Sequence, residues 1–137
     1  MAFFIPSSDV PRRLRAWFVV HFILDIVTAV PLLVAPREFA LLLGFPAVDP
    51  LTSRLVAAAL VAIGVESLLS RNATRENFRT LLRLKVLWSA AAGVGTLVTI
   101  AGGAPRAAWA VLAIFAAFNA LWLRYLLLLR RAGSAGA

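Results

Sequence analysis

The sequence predicts an all-α membrane protein, folded as a bundle of four transmembrane helices. The chain has 137 residues, of which 62% are hydrophobic and 15% charged. A soluble domain is nearer half apolar and a quarter charged, so the bilayer is the solvent that this composition fits. Four apolar segments approach the roughly 20 residues that a helix needs to cross a bilayer core. None alternates as a strand would, and a helix satisfies its backbone groups internally, as lipid demands.

The four predicted spans lie in one domain that covers residues 1–137, of which residues 132–137 are expected to form a flexible tail. Proline, glycine or aspartate stands where several of the helices should begin or end. Asp49-Pro50 opens the second span, Gly102-Gly103 closes the third, and Pro105 starts the fourth. The spans are Leu14–Ala35, Leu51–Ser70, Thr80–Ala101 and Arg106–Leu129.

The first span contains the stretch VVHFILDIVTAVPLL, in which His21 and Asp25 interrupt the apolar run. Arginines precede it, as in a signal peptide, but the segment is too long and lacks a clear cleavage site, so we expect it to be retained. A central Asp raises the free energy of membrane insertion by about 3 kcal/mol, and each Leu, Ile, Phe or Val lowers it by roughly 0.3–0.6 kcal/mol. The apolar neighbours therefore outweigh Asp25, and the span should insert.

The connection between the first two spans, PREFALLLGFPAVDP, is longer than the others. Its aromatic and leucine residues suit a short helix in the outer membrane interface that ends at Gly44 and Pro46. Two interpretations are open. The segment is either a hydrophobic loop packed on the bundle, which we favour, or a lid over a lateral opening.

The basic residues are divided unequally between the two ends of the predicted bundle. The N-terminal side receives most of the arginines, and the opposite side receives only Arg37, Arg54 and Arg106. Because positive residues favour the cytoplasmic side, this bias predicts a multi-pass protein of the inner (plasma) membrane with both termini in the cytoplasm. The same distribution argues against nucleic acid as a partner, since the basic residues cluster beside apolar runs.

Each predicted span carries a polar group, and these groups cluster in the cytoplasmic half of the bundle. His21 and Asp25 are four positions apart and share one face of the first helix. Glu66 and Lys85 lie at similar depth in the second and third spans, which predicts that they face one another. Asn119 lies near the midplane of the fourth span. The pattern predicts a polar cavity that opens inward and is closed outward.

Structural roles compete with functional ones at these positions. His21 can serve to hydrogen-bond Asp25, Lys85 can reach back to the interface, and Asn119 can join two helices. Asp25 and Glu66 are functional candidates by default, because a carboxylate within a membrane is costly. On the second span, Ala58, Ala62 and Glu66 share a face, and the alanines would allow close helix approach. The candidates for ligand binding or proton linkage are His21, Asp25, Glu66, Lys85 and Asn119; no residue is assigned as catalytic.

The sequence predicts neither a metal nor a cofactor. It has no cysteine and one histidine. The lack of cysteine excludes disulfides and thiolate metal sites, and a zinc or haem site normally requires several ligands.

Three features together resemble the DoxX-like group of small bacterial four-helix membrane proteins. They are the basic start, the hydrophobic loop PREFALLLGFP, and the carboxylate motif AIGVESLL at the end of the second span. The resemblance covers most of the chain and implies the four-helix architecture. Some members look like accessory subunits of quinone-linked oxidoreductases, so a membrane-complex partner or a second copy of the chain is among the expected partners. No catalytic residue is carried over.

Three functions of different classes remain open. The first, which we favour, is an accessory or ligand-binding protein whose polar cavity holds the head of a lipid, a sterol-like molecule or a quinone. The second is a proton-coupled small-molecule transporter in which Glu66 or Asp25 exchanges a proton for substrate, although no inverted repeat is visible. The third is an intramembrane enzyme that uses His21 and Asp25 as an acid–base pair, for which we identify no nucleophile.

Overall fold

The computed structural model describes the backbone of residues 10–134 and the side chains as far as Arg131. The α-helices, in chain order, are α1 (Arg12–Val34), α2 (Pro36–Leu42), α3 (Pro50–Leu69), α4 (Arg75–Ala101) and α5 (Ala107–Ser134), and a 3-10 turn covers Ser70–Asn72. All of these helices except the short α2 are long and apolar enough to cross a membrane. This architecture confirms the predicted all-α four-helix bundle.

Three of the long helices, α1, α4 and α5, extend beyond the predicted spans at the end of the bundle that carries most of the arginines, here called the basic end. α4 begins at Arg75, before the predicted Thr80, because the Thr74 hydroxyl accepts a hydrogen bond from the Asn77 amide (3.4 Å) and caps the helix. α5 continues through Ser134, so residues 132–134 are helical where the sequence predicts a flexible tail. Residues 135–137 of that predicted tail lie outside the described residues.

At the opposite end, here called the loop end, Asp49 caps α3 as the Asp49-Pro50 motif predicts. Its carboxylate accepts hydrogen bonds from the Thr52 hydroxyl (2.5 Å), the Thr52 amide (2.8 Å) and the Leu51 amide (3.3 Å). These bonds favour the charged carboxylate, so they hold the pKa of Asp49 below its usual value, with the Thr52 hydroxyl as the largest cause. After α4 the chain turns through Gly103, whose φ of +91° suits glycine.

The connection between α1 and α3 contains the short helix that its sequence predicts. Gly44, which follows α2 with a φ of +84°, lies so near the start of α5 that an added Cβ would be 3.3 Å from Cβ of Pro105. Arg54 Nε donates a hydrogen bond to the Leu33 carbonyl (3.2 Å) and ties α3 to the end of α1. The connection is therefore packed on the bundle, as in the interpretation that we favour.

The long helices associate as two closely packed pairs, α1 with α3 and α4 with α5. Gly64 allows α3 to approach α1, because a Cβ at this position would lie 2.9 Å from Cβ of Asp25. The predicted contact face of α3, formed by Ala58, Ala62 and Glu66, is wrong, since all three are exposed. Alanine occupies both sides of this helix, so alanine spacing does not identify the packed side. The residues that are buried are Ala57, Leu60, Gly64 and Ser67.

A cluster of buried apolar side chains, here called the aromatic plug, fills the bundle near the basic end. Phe18 of α1 contacts Phe78 of α4 and Trp122 of α5, with ring centroids 4.7 and 5.8 Å apart. In a bilayer such contacts act through close van der Waals packing, and they join the two helix pairs. The plug consists of Val10, Leu14, Phe18, Phe78, Leu82, Trp122, Leu126 and Leu129.

A smaller cluster joins α3 to α4 nearer the loop end. Ala29 of α1 and Ala57 and Leu60 of α3 are buried together, and Trp88 of α4 packs against them. This contact links α4 to the pair formed by α1 and α3.

Candidate functional site

Polar side chains from three helices meet inside the bundle, on the loop-end side of the aromatic plug. Each of them is 8% exposed or less. At 1.5 Å per residue, Lys85 lies about 15 Å along α4 from Arg75, so the group lies well inside a helix that is long and apolar enough to span a membrane. These residues, here called the polar cluster, are His21 and Asp25 of α1, Ser67 of α3, and Lys85 and Ser89 of α4.

His21 is the centre of the polar cluster, because its Nδ1 atom contacts two ionisable groups. Nδ1 lies 2.7 Å from Asp25 Oδ2 and 3.1 Å from Lys85 Nζ. The first contact confirms the pairing that the spacing of four residues predicts. The imidazole ring is held from α5 by Phe118 and Trp122, whose rings meet it edge-on at centroid distances of 5.0 and 5.2 Å.

Which neighbour Nδ1 interacts with depends on whether it carries a hydrogen. Without a hydrogen it accepts a hydrogen bond from the Lys85 ammonium, and as part of a protonated, cationic ring it forms an ion pair with the Asp25 carboxylate. Asp25 Oδ2 is fully buried and, although it lies within ion-pair distance of Nδ1, it receives no aligned hydrogen bond from the described residues. The arrangement therefore places one proton-accepting nitrogen between an amine and a carboxylate.

Lys85 is held inside the bundle and does not reach the interface. Its Nζ donates to Ser67 Oγ (2.7 Å), and that hydroxyl donates to the Ile63 carbonyl (2.6 Å). Nζ also lies 5.1 Å from the ring centroids of both Phe18 and Trp122, a cation–π geometry. Lys85 is only 3% exposed, so its interpretation as an interface residue is wrong.

The predicted pair of Glu66 and Lys85 is also wrong. Glu66 lies on the exposed side of α3, where its Oε1 accepts a hydrogen bond from the Ser70 hydroxyl (2.5 Å). Ser67 faces Lys85 instead, because successive residues on a helix point about 100° apart. Similar depth therefore did not establish contact, and Glu66 is not part of the polar cluster.

Asn119 supports the polar cluster from α5. Its Nδ2 donates hydrogen bonds to the Val86 carbonyl and to Ser89 Oγ, both at 2.9 Å. Ser89 in turn donates to the Lys85 carbonyl (2.7 Å). Asn119 therefore links α5 to α4, which is the structural role weighed for it in the sequence.

A cavity of about 290 Å³ adjoins the polar cluster, and residues from all four long helices line it. The remaining wall is mostly aliphatic and aromatic, and it includes Leu60, Trp88, Val111, Phe115 and Phe118. The polar end of the cavity, here called its floor, is formed by His21, Asp25, Lys85 and Ser89. The cavity thus combines charged groups at one end with an apolar wall.

The cavity opens sideways, between α1 and α5. Its exposed lining residues are Leu24 and Thr28 of α1 and Ile114 of α5. The aromatic plug fills the bundle toward the basic end, and Trp88 of α4 packs against the cluster of Ala29, Ala57 and Leu60. The predicted opening on the arginine-rich side is therefore wrong. The mouth lies between two helices that are each long and apolar enough to span a membrane.

The described residues include no group of three or more His, Asp or Glu side chains placed to hold a metal ion. Comparisons of the chain with models of protein families, with curated proteins and with solved structures find no match. The chemistry of the site therefore rests on its own geometry.

Proposed function

We propose that the protein binds a small amphipathic molecule that it takes from the bilayer. The polar head would lie on the floor of the cavity, and the apolar part would extend out through the mouth between α1 and α5. The cavity carries this proposal, because it connects buried ionisable groups to an opening between helices that are long enough to span a membrane. Its volume lies near the lower limit of small-molecule pockets, about 300–1,000 Å³, so a longer ligand would keep its tail among the lipids.

Hydrogen-bonding groups on the floor define the head of the ligand. The Lys85 ammonium has three donors, of which His21 and Ser67 receive two, so one remains for an acceptor oxygen. Asp25 Oδ2 lacks an aligned donor. A head that carries a carbonyl or hydroxyl oxygen suits these groups, and the head of a lipid, a sterol-like molecule or a quinone has this chemistry. An accessory role in a membrane complex, as the DoxX-like resemblance implies, belongs to the same proposal.

A substitution at the mouth tests this function without touching the floor. Ile114 lines the mouth and is 56% exposed, whereas Val98 of α4 is 69% exposed and does not line the cavity. Ile114→Trp should obstruct the mouth, and Val98→Trp controls for a tryptophan added to the lipid-facing surface. Native mass spectrometry after gentle detergent extraction should detect a bound molecule on the wild type and on Val98→Trp, and less of it on Ile114→Trp. Equal loading of the two variants, or a wild type without any bound molecule, would contradict the proposal.

Proton-coupled transport is a second candidate, favoured by the position of His21 between Lys85 and Asp25. A proton that arrives at Nδ1 changes the charge on the floor and hence its affinity for a polar head. Transport would also require the aromatic plug to open, because the plug separates the floor from the basic end. Substrate-dependent proton flux into proteoliposomes that Asp25→Asn abolishes would establish this function. Binding without flux would exclude it.

We also propose that the protein lies in the inner (plasma) membrane with its basic end in the cytoplasm, as the arginine distribution predicts. The native chain has no cysteine, so single cysteines can report the orientation. Asn72 is exposed at the basic end and Ala47 at the loop end. A membrane-impermeant maleimide added outside intact cells should label Ala47→Cys and leave Asn72→Cys unlabelled. The reverse pattern would invert the proposed topology.

A further inference from the structure

Lys85 differs from every other cationic residue of the protein. The sequence holds 14 lysine and arginine residues, and Lys85 is its single lysine. An arginine stays charged in a protein, whereas a lysine amine can lose its proton and become a nucleophile. Arginine occupies every other basic position apart from the one histidine, and the one lysine lies on the floor of the cavity, beside that histidine.

We propose that Lys85 is a reactive amine that captures a lipid-soluble aldehyde as an imine on the floor of the cavity. This inference rests on the proposed function, because the aldehyde must enter through the same mouth. Lys85 is nearly fully buried yet lines the cavity, so a bound carbonyl carbon can reach Nζ away from bulk water. Desolvation in an apolar pocket is one of the ways in which proteins activate a lysine for this chemistry.

His21 is placed to accept the proton that Lys85 must lose. Nδ1 lies 3.1 Å from Nζ, and the imidazolium formed would face Asp25 Oδ2 at 2.7 Å. The transfer would thus give the buried Asp25 carboxylate a cationic partner. From the other helices, Nζ contacts the Ser67 hydroxyl of α3 and the Trp122 ring of α5, neither of which is ionisable at neutral pH. His21 and Asp25 are therefore the groups that control the protonation of the amine.

The step balances in atoms and in charge. The neutral Nζ attacks the aldehyde carbon and forms the C–N bond, the carbonyl electrons move to the oxygen, and a proton passes from the nitrogen to that oxygen. The His21 imidazolium then protonates the hydroxyl, the C–O bond breaks, and water leaves as the nitrogen lone pair completes the C=N bond. The net change converts an ammonium and an aldehyde into an iminium and water. The positive charge near Asp25 is therefore retained.

Because the chain has one lysine, reductive trapping reports on Lys85 and the N-terminal amine alone. The purified protein in detergent is mixed with decanal and sodium cyanoborohydride, and intact mass and peptide mapping locate the adduct. The matched control, Lys85→Arg with Arg83→Lys, moves the lysine to an exposed position on the same helix. We expect decanal to label Lys85 faster than the control lysine. His21→Phe should slow the labelling of Lys85 by about 10²-fold, the lower end of general acid–base contributions.

Decanol separates this inference from the proposed binding function, since it has the same chain but no carbonyl. It should bind the wild type and protect Lys85 from decanal. Labelling of Lys85 that is no faster than that of the control lysine would overturn the imine proposal. If decanol still binds in that case, the binding function stands alone, and if it does not, both fail. Should the control variant not fold, the N-terminal amine of the wild type provides the reference rate, and Lys85 must exceed it.

Discussion

Gly64 provides a direct test of how the polar cluster is packed, because α3 meets the base of the Asp25 side chain there. A Cβ at position 64 would lie 2.9 Å from Asp25 Cβ and 3.2 Å from Asp25 Oδ2. Carbon atoms in favourable contact are about 3.5–4.0 Å apart, so Gly64→Ala requires a separation of roughly 0.6 Å or more. Asp25 Cβ is fixed to the backbone of α1, and the two helices must therefore move apart. Overpacking of this kind costs about 1–3 kcal/mol.

The same substitution at Gly95 is the matched control. Gly95 also lies within a long helix, but a Cβ there would meet nothing within 4 Å. Alanine gains up to about 1 kcal/mol of helix propensity over glycine, and this gain cancels when the two variants are compared. In reversible unfolding in detergent, followed by circular dichroism, Gly64→Ala should be less stable than Gly95→Ala by about 1–3 kcal/mol.

A second measurement locates the disturbance at the polar cluster. Since Asp25 Oδ2 is 2.7 Å from His21 Nδ1, a displaced carboxylate should change the ¹⁵N chemical shift of that nitrogen. The chain has one histidine, so only the two nitrogens of its ring have to be distinguished. Gly95→Ala should leave the shift unchanged. Equal stability of the two variants, together with an unchanged His21 shift in Gly64→Ala, would refute the close packing of α3 on Asp25.

Asn119→Leu should destabilise the bundle by about 0.6–1.7 kcal/mol, the range of interhelical hydrogen bonds in membranes, and an unchanged unfolding midpoint would contradict its link to α4. Acidification should remove the contribution of Asp49 to the stability of the folded protein. Because the Thr52 hydroxyl lowers the folded-state pKa of Asp49, its cap contributes fully above the unfolded pKa and is lost as pH falls through the folded one. Asp49→Ala should therefore lose less stability than the wild type when the pH is lowered. Identical pH profiles of stability would contradict the cap. Glu66→Gln and Lys85→Met should have additive effects on stability. A coupling energy above about 0.5 kcal/mol would show that the two residues interact after all, as the sequence predicts.

Local sequence signals predicted most of the fold. The length of the apolar segments predicted the four spans. The Asp49-Pro50 motif predicted the start of α3, and the composition of the first connection predicted α2. The His21–Asp25 contact was equally local, because four residues on a helix bring two side chains together in any environment. Such features need no information on how the helices are rotated against one another.

The rest of the site depends on that rotation, which hydropathy does not specify. Glu66 and Ser67 lie at similar depth, but only Ser67 faces Lys85. The side of α3 that contains Gly64 packs against α1, and Ser67 lies on that side. The aromatic plug was not predicted for the same reason, since apolar residues occur on several sides of α5 and hydropathy does not distinguish Trp122 from them. One useful signal was present in the sequence without being used. It is the lone lysine among arginines, since a buried lysine, unlike an arginine, can lose its proton.

The aromatic plug and the lateral mouth together decide which molecules can reach Lys85. An amine and a carboxylate inside the bundle are tolerated when they compensate each other, and here both lie within 3.1 Å of His21 Nδ1. The plug fills the bundle toward the basic end, and the mouth lies between α1 and α5. A reactant for Lys85 must therefore partition into the bilayer before it enters. In proteoliposomes, decanal should label Lys85 under reducing conditions, whereas glycolaldehyde, a water-soluble aldehyde, should not at the same bulk concentration. Equal labelling by the two would mean that water reaches the floor by another route, and the assignment of the mouth as the entrance would fail.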